Sequence, residues 1–486
     1  MVLEAVKRLK EIVGEENLIS EASALRAYSE DYSLCEPSMP DCAVRPKETV
    51  QVQAIVRLAN EKSIPVIPSS SGAHFYGTTI PSKGGIIVDL RRMDKVLEID
   101  GRNRKMRIEP GVTWGKLQEE LGRHNFTAFN PLLPHPEKSA LTSLLEREPV
   151  LVPKFEYADP ILAMEVVLPT GDILRTGSAS VPGVPDDALV DMVCPYGPGM
   201  DFFRLFQGAQ GTLGIVTWMN AKIEHFSKVR KVYFIKSKEL KKLEEAAYRA
   251  QQLMIGDECF ILNSLNLSLI LAKKWPEEIT QLKKSLPEFV LVICLAGSLR
   301  RPEEKLAYQE EALRSLVSEL RLEASGVLPG YGDGNEMAFS TLKMPWQGEG
   351  PYWKNRLKGF FEEVSFLTTF DNISKTKDII FKLAEKKDYK EKEIGIYLQP
   401  VEYGRACFCQ FSFYYKAKEG KDAAGVKSLT LKTREALLSE GVHFSIPYGE
   451  GAEEIFSRAK QYRDSLIKIK NIFDPKGIMN PGRLCF

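Results

Sequence analysis

The sequence predicts an α+β protein made of two α/β parts. Up to about residue 226, short β-type runs alternate with helical patterns and glycine is frequent. Past Phe226 glycine thins and long helical patterns appear, so a second α/β unit is expected over 227–445. From 446 the chain turns back to turn-rich sequence, ending NIFDPKGIMNPGRLCF, and is expected to rejoin the first part, 1–226.

The elements follow in order. Apolar residues at Val2, Leu3, Val6, Leu9, Ile12 and Val13 give an amphipathic N-terminal helix. A helix is expected over 49–60, with Val50, Ile55, Val56 and Leu58 on its apolar side. Strands are expected at 64–67, 86–90, 96–99 and 106–109, and a helix at 114–121. An irregular stretch covers 130–160. A hairpin, 163–168 with 173–176, turns on Pro169-Thr170-Gly171-Asp172. In the second unit, helices are expected at 240–254, at 303–322 (ended by Gly326) and at 375–386. Strands are expected at 289–295 and 402–415, and a final helix at 452–470.

Composition removes several function classes. Hydrophobic residues are 44% and charged residues 27%, an ordinary globular balance. Lys and Arg number 66 against 65 acidic residues, so the totals lack the basic excess of a nucleic-acid binder. The longest apolar run, Phe289–Ala296, is strand length, and no membrane span is expected. The N-terminus lacks the apolar core and cleavage site of a secretory signal, which points to a cytoplasmic protein. Eight cysteines, at 35, 42, 194, 259, 294, 407, 409 and 485, are too few for a disulfide scaffold and form no C-x-x-C. Cys407 and Cys409 are read as two buried thiols on one strand face.

Motif absences narrow the field further. G-x-G-x-x-G, G-x-x-x-x-G-K-[ST], H-E-x-x-H and G-x-S-x-G do not occur. The five histidines, 74, 124, 135, 225 and 443, show no metal-ligand spacing, so no metal is expected. What is present is PSSSGAHFYGTT after a strand. Small residues there let backbone approach a ligand, and successive N–H groups with Ser and Thr hydroxyls suit a pyrophosphate.

Five blocks, in order, carry a family resemblance. They are IPVIPSSSGAHFYGTTIPSKGGIIVDLRRMDKVLEID; RIEPGVTWGKLQEEL; TSLLEREPVLVPKFEYAD with AMEVVLPTGDILRTG; CPYGPGMDFFRLFQGAQGTLGIVTWMNAKI; and FDPKGIMNPGR. Together, over about 44–225 and 472–483, the chain resembles the vanillyl-alcohol oxidase / p-cresol methylhydroxylase flavoproteins. The resemblance implies an α+β fold: a PCMH-type FAD-binding domain of two α/β subdomains (1–226), a separate α/β cap (227–445), and a C-terminal return (446–486).

By that resemblance FAD would lie on Ser69, Ser70, Ser71, Gly72, Ala73, His74, Tyr76, Gly77, Thr78 and Thr79. Pro110, Gly111, Thr142, Ser143, Glu146 and Arg147 would line the rest of its cleft. Gly208, Gly211 and Gly214 would allow close backbone passage there, with Ile215 and Val216 as apolar cover. His74 stands one residue from where a related branch carries a flavin-linked histidine, and a neutral polar role is expected for it. Catalytic candidates are Tyr76, Tyr448 and Arg483, with Tyr448 also read as a packed aromatic. Two departures stand out. Ser143-Leu144 replace the family's small pair after Thr142, and Gly332-Asp333-Gly334-Asn335 lacks the flanking histidines of a related metal site, Gly330 and Met337 holding their places.

The implied activity is hydride transfer from a small organic alcohol or para-alkyl phenol to flavin N5 by a dehydrogenase rather than an oxidase. Alternatives are a D-2-hydroxy-acid dehydrogenase and a flavin electron-transfer subunit. A small-molecule substrate is expected, with a cytochrome, iron–sulfur protein or electron-transfer flavoprotein as redox partner. The chain is expected as a homo-oligomer or a subunit of a complex.

Overall fold

The computed structural model describes residues 2–151, 159–181, 194–297, 299–331 and 342–486. Three sheets organise them. The first holds β1 (Leu18–Ile19), β2 (Cys42–Val44), β3 (Val66–Ser69) and β4 (Ile86–Asp89) in the order β1-β2-β4-β3. Here β2 and β3 both run parallel to β4. Strands β2 and β4 are buried throughout, as expected of a parallel sheet covered on both faces. Helix Thr49–Lys62 makes the crossover before β3 and buries Val52, Ile55, Val56, Leu58 and Ala59. Val50, expected on that face, is instead 68% exposed.

The second sheet contains β5 (Val96–Asp100), β6 (Lys105–Ile108), β7 (Phe126–Ala128), β8 (Ile161–Val167), β9 (Ile173–Arg175) and the long β10 (Ile215–His225). Its pairings are antiparallel in the order β5-β6-β10-β8-β9, with β7 also on β10. The hairpin expected around Pro169 to Asp172 is β8–β9.

The third sheet is the surprise in the second half. It comprises β11 (Arg230–Ser237), β12 (Glu258–Asn263), β13 (Phe289–Ala296), β14 (Ala324–Ser325), β15 (Phe360–Thr368), β16 (Ile394–Val401) and β17 (Ala406–Tyr415). The order is β14-β11-β13-β12-β16-β17-β15, antiparallel at every described pairing. One face carries Ile235, Leu291, Ile293, Val364, Phe366, Ile396 and Phe411, and packs on helices Leu240–Gln252, Pro302–Glu319, Ile373–Glu385 and Lys421–Ser439. The other carries Phe260, Val292, Phe361, Tyr397 and Phe408 and looks toward the first half of the chain. Cys407 and Cys409 are buried together on the helix-packed face.

Two helix ends differ from expectation. Helix Pro302–Glu319 stops because Arg321 takes a left-handed φ of 54°, before Gly326 is reached. The C-terminal helix is two, Gly451–Arg458 and Lys460–Phe473, broken at Ala459 (φ −97°, ψ 47°). After them the chain returns to the first sheet, where Met479 bridges Val66.

That return is pinned by one buried ion pair. Lys470 Nζ lies 2.5 Å from Asp474 Oδ2 and donates to the carbonyls of Thr212 (2.7 Å) and Met479 (2.9 Å). Asp474 also accepts the Ile478 and Met479 amides. Replacing Lys470→Met leaves a buried carboxylate without its cation, and a loss of about 3 kcal/mol is expected. Urea unfolding followed by far-UV circular dichroism measures it, and a change below about 1 kcal/mol contradicts the assignment.

Candidate functional site

The site has two adjoining chambers. The narrower is a cleft where the loop after β3, helix Ala140–Leu145 and the loop before β10 converge. Ser70 Oγ and Thr142 Oγ1, 2.6 Å apart, join the first two. Ser139 caps the helix by accepting from Thr142 N and donates its own hydroxyl to Pro110 O at 2.6 Å. Asn480, 1% exposed, spans the remaining walls: its Nδ2 donates to Thr78 O (2.9 Å) and Gln210 O (2.7 Å), while its Oδ1 is buried without a partner.

Of the residues expected at the cofactor, Ser70, His74, Thr78, Thr79, Pro110 and Thr142 line this cleft. Glu146, Gly208, Gly211, Gly214, Ile215 and Val216 line it too. Ser69, Ser71, Gly72, Ala73, Gly77, Gly111, Ser143 and Arg147 lie outside that lining and act on the chain itself. Ser69 Oγ meets His74 Nε2 (3.2 Å), Ser71 Oγ donates to Ala73 O, and Arg147 donates to Gln207 O.

The glycines divide in the same way. A Cβ on Gly77 (φ +74°) would sit 2.3 Å from Cys35 Sγ, one on Gly111 would be 2.7 Å from Met93 O, and one on Gly211 (φ +71°) would be 2.5 Å from Pro68 Cγ. These positions need glycine for internal packing. Gly72 has no heavy atom nearer than 4.0 Å to such a Cβ, so the fold itself leaves room there.

His74 is a buried neutral ring. Its Nε2 donates to Ser71 O at 2.9 Å, which fixes the proton on that nitrogen because a carbonyl only accepts. Burial, with Lys138 adding to it, pushes its pKa down to about 4.

The larger chamber is a cavity between the first half and the third sheet, with aromatic walls. Phe75 stacks on Phe361 (5.8 Å) and lies 5.9 Å from His135, which meets Tyr352 edge-on at 5.1 Å. Tyr76 and Tyr448 stack at 4.4 Å with 6° between ring planes. Tyr76 lines the cavity, and Tyr448 lines both chambers. Arg483 stands apart: it donates to Ile80 O and lines a third, outer cavity.

Between the chambers sits a charge cluster that the sequence reading missed in part. Lys138 Nζ lies 2.6 Å from Glu146 Oε2 and 2.5 Å from Glu148 Oε1. Ser143 donates to Glu148 Oε2 and Tyr76 Oη donates to Glu148 Oε1 at 3.1 Å. Burial works to raise Glu148, but Lys138, Ser143 and Lys354 outweigh it and hold it below the usual carboxylate range. Glu146 goes the other way: burial, with Glu148 beside it, lifts it to about 7 against the pull of Lys138. On the far wall Lys354 Nζ is 2.7 Å from Glu363 Oε1, which also accepts from Ser412. A signal for Glu148 existed, since LLEREPVLV sets three charges in an apolar run. Lys354 and Glu363 carried none.

The cleft's donors fit a dinucleotide pyrophosphate. Hydroxyls from Ser70, Thr78 and Thr142 share it with apolar Leu141, Leu145, Phe206, Ile215 and Val216, and no Lys or Arg is among its described lining residues. The one ionisable acid, Glu146, is half neutral near pH 7. Gly332-Asp333-Gly334-Asn335 lies outside the described residues. No group of three or more metal-ligating side chains occurs among the described residues, and no helix among them is long and apolar enough to cross a membrane.

Comparison with known proteins agrees with this geometry. Residues 40–177 match the family described as FAD binding domain. A glycolate oxidase subunit of Bacillus subtilis is 30% identical over 224 residues, 45% of this chain and 44% of that protein. The flavoprotein subunit of 4-cresol dehydrogenase (hydroxylating) of Pseudomonas putida is 31% identical over 220 residues, 44% of this chain and 41% of that protein. The chain thus matches less than half the length of these curated relatives. The crystal structure of p-cresol methylhydroxylase with substrate bound aligns with a TM-score of 0.82 at 19% identity, over 100% of this chain and 97% of that one, a likeness of fold. The cofactor is FAD.

Two outcomes follow from the cleft. Gly72→Val is expected to keep both the thermal midpoint and FAD, because Gly72 lies outside the cleft lining with open space beside it; Gly77→Val is expected to lose both, because it strikes Cys35. Differential scanning fluorimetry beside flavin content separates them, and lost flavin in Gly72→Val would place the pyrophosphate on that side of the loop. FAD affinity is also expected to fall as pH rises through about 7, where Glu146 ionises beside an anionic ligand. The drop is on the order of tenfold, and Glu146→Gln removes it. Equilibrium dialysis across that range reads both.

Proposed function

We propose that this chain, a PCMH-type flavoprotein by its FAD-binding domain and fold, is an oxidoreductase acting on a neutral aromatic substrate, a para-alkyl phenol or aromatic alcohol. The observation carrying this reading is that the cations among the cavity's described lining residues are already engaged. Lys138 pairs with Glu146 and Glu148, Lys354 with Glu363, Arg434 with Glu362, and Lys427 with Glu36 and Glu450. His135 is pushed down by burial and stays neutral near pH 7. A 2-hydroxy acid brings a carboxylate that calls for an unshared Arg or Lys. Drawing Lys138 from its partners would strand a buried carboxylate, at a cost of about 3–5 kcal/mol. An aromatic ring asks only for the rings of Phe75, Tyr352 and Phe361.

FAD, when bound, supplies the hydride acceptor. The residues of this chain do the rest. Tyr448, common to both chambers, marks where a reacting carbon would meet the cofactor. Tyr76 Oη, which lines the cavity and donates to Glu148, would accept a hydrogen bond from the phenol hydroxyl, while Glu148, held charged below the usual carboxylate range, anchors the Tyr76 proton as a hydrogen-bond acceptor rather than as a base. Lys138 Nζ, 4.9 Å from the Tyr76 ring centroid, offsets the negative charge of Glu148. The unit 227–445 serves as the cap, and a partner protein such as a cytochrome takes the electrons, in keeping with a dehydrogenase.

A second reading, a D-2-hydroxy-acid dehydrogenase, draws support from the 30% identity to the glycolate oxidase subunit. It requires one of the cavity's cations to change partners, and Lys427, with the most exposed of the described pairs, is the readiest to do so.

Tyr76→Phe keeps the stack on Tyr448 and removes the donor to Glu148. It is expected to retain FAD and slow flavin bleaching by 4-cresol about a hundredfold. Stopped-flow absorbance measures the rate. Equal rates in both proteins remove Tyr76 from the chemistry, and bleaching by D-lactate alone favours the second reading.

A further inference from the structure

The aromatic cavity adjoins the outer cavity. Cys35, Gly449 and Glu450 line both, so the two spaces meet at these residues. Cys35 and Gly449 sit side by side at this junction: a Cβ on Gly449, at φ +59°, would stand 3.4 Å from Cys35 Sγ. Across this neck between the cavities runs an ion-pair tie. Lys427 Nζ is 3.1 Å from Glu36 Oε1 and 2.7 Å from Glu450 Oε1. Lys427 lines the inner cavity and Glu36 the outer one, while Glu450 belongs to both. The three come from separate segments: the loop before β2, helix Lys421–Ser439, and the start of helix Gly451–Arg458.

We infer that this neck is the substrate's way in, and that Lys427 decides there which neutral aromatic molecules pass. The class of substrate rests on the function proposed above; the route rests on the geometry of the neck. Of the cavity's paired cations, Lys427 is the one able to let go. Its side chain is 28% exposed and those of Glu36 and Glu450 are 81% and 53% exposed, so water and salt replace the pair cheaply. Lys138, with a side chain 3% exposed, has no such alternative. The same aliphatic stem that carries the ammonium closes the neck when tied and swings outward when released. A flat single ring passes beside it, whereas a wider molecule has to wait for release.

The test measures entry without requiring turnover. Binding of 4-bromophenol and of the larger 4-phenylphenol is followed in stopped flow by the change each makes in the flavin absorbance. Lys427→Met, which keeps the stem and removes the charge, is expected to speed association of 4-phenylphenol about fivefold, the weight of an exposed ion pair. Association of 4-bromophenol should stay within a factor of about two. Raising salt should bring wild type toward the variant, and Lys427→Arg should restore wild-type rates. Equal association of both phenols in wild type and Lys427→Met overturns the inference. If neither phenol binds, the proposed substrate class fails, and reoxidation of dithionite-reduced flavin by benzoquinones of increasing girth decides the route by itself. A girth dependence that weakens in Lys427→Met upholds the neck, and one unchanged by the substitution overturns it.

Discussion

One buried ammonium joins the two halves of the site. Lys138, 2% exposed, lies within 2.6 Å of a carboxylate that faces the narrow cleft, Glu146, and within 2.5 Å of one that faces the cavity, Glu148. Two acids share one base in a place with little water, so both cannot be ionised without a net buried charge. The conflict resolves unequally. Glu148, which also accepts from Ser143 and Tyr76, stays charged, and Glu146 keeps a proton up to about 7. The cleft side is thereby left close to neutral, and the cavity side retains an acceptor. Moving the lysine would disturb both chambers together.

The third sheet turns this junction into an enclosed cavity, and its strand period explains how. Along β15, Val364 and Phe366 point into the helix-packed core, while Phe361, Glu363 and Ser365 face the cavity. Antiparallel register brings Ser412 opposite Glu363 and Gln410 opposite Ser365, so the neighbouring strand supplies hydrogen bonds to the same carboxylate. Glu363 is thus held by its own sheet and by Lys354, and the aromatic wall forms from alternate residues of the same strands. An antiparallel sheet suits this role because each strand presents one face to a core and one to a chamber.

The lining of the narrow cleft was far more legible in the sequence than the cavity. Ser70, Thr142, Gly211 and Val216 lie in contiguous blocks whose local chemistry, small residues and turns, is visible without knowing the fold. Even so, Gly77, Gly111 and Gly211 serve packing against Cys35, Met93 and Pro68, partners that no local pattern names. The cavity pairs were silent for the same reason. Lys354 and Glu363 meet across a turn and a strand edge, and Arg434 reaches Glu362 from 72 residues away. In the second half of the chain, β13 was recognisable as a continuous apolar run, whereas β12, β15 and β16 were not, because mixed polar residues such as Glu363 belong to the cavity face. The helix ended by Arg321 was misjudged because an arginine rarely adopts a left-handed φ, and glycine was the natural place to look.

Substrate choice in such a cavity is set by what its carboxylates already hold. A pocket that grips an anion needs a cation in excess of its internal partners, and here every described lining cation has at least one acidic partner, Lys138 and Lys427 having two each. Changing the class of substrate therefore does not require a new arginine; removing one carboxylate would be enough to expose a cation that is already in place. Glu363 is the carboxylate best positioned for that, since its loss leaves Lys354 Nζ at the wall beside Trp353 and Phe361, 5.4 and 5.6 Å from their ring centroids. The retained acid is what keeps that ammonium from acting on a ligand. Its described charges internally matched, the aromatic chamber turns the donor–acceptor pair of Tyr76 and Glu148 inward, and the Lys427 tie at its edge is the most exposed of the cavity's described pairs.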